Sequence, residues 1–218
     1  MNTEFFILLI VAVIVRYIPF VHIPFKMLSV YFHELGHGLV AITTGGSISK
    51  IVINYNGSGV CHYRYKSAIS HFLISVSGYI ATAAFGYYIY SVASTSSENF
   101  TTGNFYIILI GIAISTILWV RDIKTFILVS SIAFLFAIPI LDEFIDVMSL
   151  LSFAVIYMKF IGMYIMIDAL ISPTYLIDGR DDGDGGDLAK MTKIPEVIWI
   201  SLWLLISLYA LYEAYMLG

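Results

Sequence analysis

Long apolar stretches separated by short polar or turn-rich breaks dominate the chain. Seven stretches can be traced, at roughly residues 4–21, 28–43, 68–94, 103–120, 125–141, 147–171 and 196–216. Most approach or exceed the roughly 20 residues with which a helix crosses the hydrocarbon core of a bilayer. Because a helix satisfies its own backbone hydrogen bonds in lipid, we predict that each stretch is helical. The second stretch is short for a crossing, which favours a helix buried among the others.

The break at residues 44–66 has a different pattern. Ile51, Ile53 and Tyr55 stand at alternate positions, and the dipeptide NG follows at residues 56–57. Alternating β-branched and aromatic residues next to such a turn signal are typical of a β-hairpin. We therefore predict a small β-hairpin that lies against the helices.

Composition supports a membrane environment. Of 218 residues, 60% are hydrophobic and 12% are charged, whereas a soluble domain has about 25% charged residues. The length suits one compact unit. We predict an all-α polytopic membrane protein with a single domain spanning residues 1–218, about six to seven helices and the small hairpin.

Charge and cysteine content exclude several classes of protein. The net charge is −4 and no cluster of basic residues is found, so nucleic acid is not an expected partner. Cys61 is the single cysteine, which excludes an internal disulfide and a cysteine metal cluster. The apolar composition makes the lipid bilayer the expected partner.

The distribution of Lys and Arg predicts an orientation. The breaks at 44–66, 121–124 and 172–195 contain Lys or Arg, whereas those at 95–102 and 142–146 contain none. Short loops rich in Lys and Arg usually face the cytosol. We predict a multi-pass integral membrane protein with loops 44–66 and 172–195 cytosolic. Arg16 and Lys26 fit this pattern less well, since a spanning helix 28–43 would place Lys26 outside.

Residues 33–37 read HELGH within an otherwise apolar stretch. On a helix, His33 and His37 lie one turn apart on the same face, so both imidazoles can bind one Zn2+ ion at about 2.0–2.1 Å. The ion would acidify a water molecule, and Glu34 is suited to act as its general base. Ionisable groups within apolar membrane segments generally mark functional sites. The motif therefore predicts a catalytic zinc site.

A catalytic zinc ion usually has three protein ligands, and three aspartates are candidates for the third. We favour Asp168, because it lies within the apolar stretch 147–171 and its burial would be costly without a cation. Asp178 and Asp184 follow in a polar, Gly-rich loop, where Asp184 could also cap a short helix at 187–193. The predicted ligands are His33, His37 and Asp168, with the other two aspartates as alternatives.

Several stretches of this sequence resemble one family: HELGHGLVAITTGG with the following NGSGV, then SVSGYIATAAFG, and DLAKMTKIPEVIW. The chain resembles the site-2 protease family of intramembrane zinc metalloproteases, in particular its small B-like branch. The resemblance implies zinc, a buried site that water can reach, and cleavage of a membrane-embedded substrate segment. It carries over His33 and His37 as ligands and Glu34 as general base.

The resemblance does not choose between the aspartates. Better-studied members place their third ligand in a motif of the form N-P-x-L-D-G, and SPTYLIDG at residues 172–179 lacks the Asn. The small branch instead points to aspartates at the positions of Asp168 and Asp184. All three candidates remain open on this ground.

Other functions are compatible with parts of the sequence. Small residues in 76–93 would also suit a non-proteolytic membrane scaffold that binds partner helices, with or without structural zinc. A metal transporter is disfavoured by the single compact histidine motif. A prenyl-protein endopeptidase would need a later glutamate ligand, and Glu196 and Glu213 are the only candidates after Glu143.

Overall fold

The computed structural model describes residues 2–54, 56–95, 102–145, 148–177 and 183–217. These ranges contain eight α-helices and one two-stranded sheet, and a short 3₁₀ helix at Ser172–Leu176. The helices are α1 (Thr3–Arg16), α2 (His22–Thr43), α3 (Ala68–Ser94), α4 (Thr102–Trp119), α5 (Ile123–Ile145), α6 (Met148–Ile171), α7 (Gly183–Thr192) and α8 (Glu196–Met216). The strands are β1 (Ser47–Ile53) and β2 (Gly59–Arg64).

Each of the seven predicted apolar stretches corresponds to one helix. The eighth helix, α7, lies in the polar loop 172–195 and brings the total above the predicted six to seven. It begins at Gly183, whose φ of 78° is a conformation that glycine adopts without strain, and not near residue 187 as the sequence suggested. Hydropathy does not reveal α7, because it is short and has a polar first turn.

Helix α3 is the centre of the bundle and packs against α2, α6 and α8. The α3–α6 contact is close because glycine faces the partner backbone. A Cβ atom on Gly162 would come within 2.7 Å of both the Gly86 carbonyl oxygen and the Tyr90 nitrogen. Small residues of this kind let membrane helices approach closely.

Three helical segments of the described residues are long and apolar enough to cross a membrane: Ala68–Ser94, Phe153–Leu176 and Glu196–Met216. Large apolar side chains cover much of the outer surface, as at Ile69, which is 73% exposed, and Leu205, which is 64% exposed. Exposed apolar area on this scale marks a surface that contacts lipid or other protein.

The predicted β-hairpin is confirmed. Strands β1 and β2 are antiparallel, with Ile51 opposite Cys61. The outer edge of β1 contacts the α4–α5 turn, since Ile51 forms a bridge with Val120 and the Ile53 N–H donates to Thr125 Oγ1 at 3.0 Å. Strand β2 packs against α2. The hairpin is thus held between α2 and the α4–α5 turn.

Candidate metal centre

The two histidines of HELGH and one aspartate of α7 form a compact cluster. The Nε2 atoms of His33 and His37 are 3.0 Å apart. Oδ2 of Asp184 lies 3.1 Å from Nε2 of His33 and 3.2 Å from Nε2 of His37. Two nitrogens and one oxygen therefore occupy the corners of a nearly equilateral triangle.

The triangle has the dimensions that a zinc ion requires. Bonds of about 2.0–2.1 Å in a tetrahedral arrangement separate neighbouring ligand atoms by roughly 3.3 Å. The observed separations of 3.0–3.2 Å are only slightly shorter. Two histidines and one carboxylate, with a fourth position open, also form a donor set typical of catalytic zinc sites. The residues fit the metal.

His37 is oriented as a metal ligand. Its Nδ1–H donates to the carbonyl oxygen of Ile74 at 2.7 Å, which leaves the Nε2 lone pair available. The ring of His33 packs edge-on against the ring of Tyr79, with 4.5 Å between centroids. Contacts of α3 therefore restrict both imidazoles.

Gly78 lets α3 approach the histidines. A Cβ atom at this position would come within 2.5 Å of His33 Cε1 and 2.6 Å of His37 Nε2. Any other residue would therefore displace the imidazoles. Gly78 lies in SVSGYIATA, one of the stretches that resemble the family. Its contact with both histidines is evident only from the structure.

Apolar packing of α7 against α8 fixes the position of Asp184. Leu188 is fully buried in a cluster with Ile200 and Trp203 of α8. The Asp184 carboxyl thus lies against both imidazoles, and the ionised form of a carboxyl is the one that binds metal.

Glu34 is held beside the cluster by the edge of β2. Its Oε2 accepts a hydrogen bond of 2.7 Å from the Cys61 N–H. A Cβ atom on Gly59 would lie 2.8 Å from Oε1, so β2 packs directly on the carboxylate. Glu34 and His33 line a common cavity of about 160 Å³. The alternating pattern of the sequence predicts a hairpin against the helices, but no local pattern indicates that the hairpin backbone binds Glu34.

The structure does not bring Asp168 to the histidines. Its Oδ2 accepts hydrogen bonds from Ser29 Oγ at 2.6 Å and Lys26 Nζ at 3.1 Å, and its Oδ1 pairs with Arg16. The buried carboxylate does need a cation, as the sequence suggested, but Arg16 and Lys26 supply the positive charge. Asp184 replaces Asp168 in the cluster.

The other carboxylates considered as metal ligands are not found in the cluster or lie outside the described residues. Asp178 lies outside the described residues. Glu196 begins α8 beside Gly185, and neither Glu196 nor Glu213 is part of the histidine cluster among the described residues. Arg16 and Lys26, which fitted the orientation rule least, are the partners of Asp168.

Comparison with known proteins identifies one family. The family model for Peptidase M50B-like proteins matches residues 6–214, which include every residue of the metal cluster and Glu34. No curated protein and no solved structure matches the chain. Since the match extends over almost the whole sequence, the chain belongs to the Peptidase M50B-like family, the B-like branch of the site-2 protease family.

Proposed function

We propose that this protein is a zinc-dependent endopeptidase that hydrolyses a peptide bond within or near a transmembrane segment of a protein substrate. Family membership implies a metallopeptidase. The observation that carries the proposal is the triangle of His33, His37 and Asp184 with Glu34 beside it. In this proposal the three residues of the triangle are the protein ligands of zinc.

The position of the cluster along α3 supports cleavage at membrane depth. Gly78, which touches both histidines, follows the first residue of α3, Ala68, by ten positions. At a rise of about 1.5 Å per residue this is about 15 Å along the helix, which is half of a hydrocarbon core of about 30 Å. If α3 crosses the bilayer with Ala68 at the edge of the hydrocarbon core, the cluster lies near the middle of that core.

The chain's own residues divide the chemistry between them. When bound, zinc supplies a Lewis acid that polarises the scissile carbonyl and acidifies water. Glu34 takes a proton from the attacking water and delivers it to the leaving amine. The Cys61 N–H fixes Oε2 of Glu34, which restricts the carboxylate to one position. The polar cavity next to Glu34 admits water while the surrounding helices exclude lipid.

Glu34→Gln tests the catalytic proposal. The substitution keeps the shape of the side chain but removes the base, so we expect cleavage to fall by about 10²–10⁴-fold while zinc content stays unchanged. The probe is a labelled synthetic transmembrane peptide with helix-breaking residues, co-reconstituted with the protein, and cleavage is read by mass spectrometry. Glu213→Gln serves as the control and should retain activity. Zinc-loaded wild-type protein that cleaves nothing contradicts the proposal and favours the non-proteolytic scaffold. A fully active Glu34→Gln variant contradicts the role of Glu34 as the base.

We also propose that loops 44–66 and 172–195 lie together on the cytosolic side of a multi-pass bundle. Both reach the same turn of α2, through Cys61 to Glu34 and through Asp184 to His33. The test introduces Lys66→Cys or Lys190→Cys into a Cys61→Ser background. We expect either new thiol to react with a membrane-impermeant reagent only after the cells are opened. A cysteine at Thr95 should react in intact cells. The reverse pattern would invert the orientation.

A further inference from the structure

The cavity next to the metal cluster has a second polar end. Its volume is about 160 Å³, and it extends from the HELGH motif to the charged group around Asp168. His33 and Glu34 line one end of the cavity, and Lys26, Asp168 and Ser172 line the other. A substrate segment positioned for attack at Glu34 would therefore also be close to this second group.

The charged group at the second end has two cations and one carboxylate, and Glu34 at the other end is the second carboxylate that lines the cavity. Arg16 and Lys26 both pair with Asp168, and in the described part of the chain no other carboxylate joins them. The Arg16 and Asp168 side chains are 7% and 4% exposed, so this pair is removed from water. An unbalanced charge at such a site is unfavourable until an anion pairs with it.

Lys26 is the member of the group that an incoming ligand can reach. Its side chain is 22% exposed, and Nζ contacts both Asp168 oxygens and Ser172 Oγ. Lys26 also lines a neighbouring cavity of about 190 Å³ together with His22, Ile23, Asn56 and Gly57. Lys26 therefore borders both this second cavity and the catalytic cavity.

The turn of the hairpin lies against Lys26. A Cβ atom on Gly57 would lie 3.1 Å from Lys26 Cγ, so the turn of the hairpin packs directly on the stem of the lysine. A peptide segment that occupies both cavities would contact Lys26. Its side chains, or its terminus, would then meet the ammonium group.

We propose that the Lys26 end of the catalytic cavity is a substrate subsite for a carboxylate, supplied by an acidic side chain or by a free C-terminus. This deepens the proposed function by naming a substrate class, and it rests on that function. Lys26 determines specificity by pairing with the substrate carboxylate. Arg16 is a positioning residue, because it keeps Asp168 paired when Lys26 turns toward the substrate.

Binding to the full-length, zinc-loaded Glu34→Gln protein in detergent tests the subsite without turnover. The probes are short apolar peptides in two sets. In the first set, amidated peptides carry Asp or Asn at successive positions; in the second, neutral peptides end in a free carboxylate or an amide. We expect the carboxylate form to bind about tenfold more tightly in at least one set, and the set identifies the source of the carboxylate.

Three lysine variants, each in the same background, complete the test. Lys26→Met should reduce the carboxylate preference to a ratio near one, Lys26→Arg should retain it, and Lys50→Met, at an exposed position of β1, should leave it unchanged. In Lys26→Met, Asp168 still forms its ion pair with Arg16. Thermal unfolding verifies that this variant is folded. Equal affinity in both sets, no binding in either, or a preference that persists in Lys26→Met overturns the subsite. Cleavage of neutral peptides by the wild type is scored separately, so failure of the subsite and failure of the proteolytic function are distinguishable.

Discussion

Purified Asp184→Asn protein is expected to lose its zinc, whereas Asp168→Asn protein is expected to keep it. The wild type should contain about one zinc ion per chain. Asp184 Oδ2 completes the triangle with His33 and His37, so an amide at this position removes a charged ligand. We expect zinc affinity to fall by more than the roughly 10–100-fold loss seen when only a partner of a ligand is removed. Elemental analysis and competition with a chelator measure both quantities.

Asp187→Asn is the matched control for this experiment. It lies in α7 three residues after Asp184 and makes the same chemical change outside the metal cluster. This variant should bind zinc as the wild type does. Zinc retained in Asp184→Asn but lost in Asp168→Asn would restore the ligand set favoured from the sequence.

Local patterns in the sequence predicted most of the fold. Hydropathy is informative in lipid, because an apolar run has few alternatives to a helix, and the alternation at Ile51 and Ile53 identified the hairpin. The start of α2 was less predictable. Pro24 and Lys26 suggest a break before residue 28, but the helix begins at His22. Proline is tolerated in a first turn, and Lys26 is accommodated by its pairing with Asp168.

The metal cluster was also predictable only in part, because its residues come from two distant parts of the chain. His33, Glu34 and His37 follow from spacing within one helix, so their proximity could be predicted. The third member of the cluster, Asp184, comes from a helix about 150 positions away, and no local pattern states which aspartate returns to the histidines. The sequence showed that burial of Asp168 would be unfavourable without a nearby positive charge. A zinc ion and the pair of Arg16 and Lys26 can each supply that charge. Only the packing of α1 and α2 against α6 distinguishes them.

Asp168→Asn is expected to destabilise the protein although it leaves the zinc in place. The substitution removes the carboxylate that Arg16, Lys26 and Ser29 share. Breaking a buried ion pair on one side leaves an uncompensated charge, and the typical loss in the free energy of unfolding is about 3–5 kcal/mol. The loss should be towards the lower end of this range, because Lys26 is partly exposed to the cavity. Denaturant unfolding in detergent, followed by circular dichroism, measures it.

A double-mutant cycle separates the pairing from other effects of the substitution. Arg16→Met leaves Asp168 with Lys26 and Ser29, so this variant should lose less stability than Asp168→Asn. The double variant Arg16→Met/Asp168→Asn removes one charge of each sign, and its loss should be smaller than the sum of the two single losses. Additive losses would show that Arg16 and Asp168 do not stabilise each other. An Asp168→Asn variant as stable as the wild type would show that the charged group does not hold α1, α2 and α6 together, and a simultaneous loss of zinc would mean that Asp168 contributes to the metal site after all.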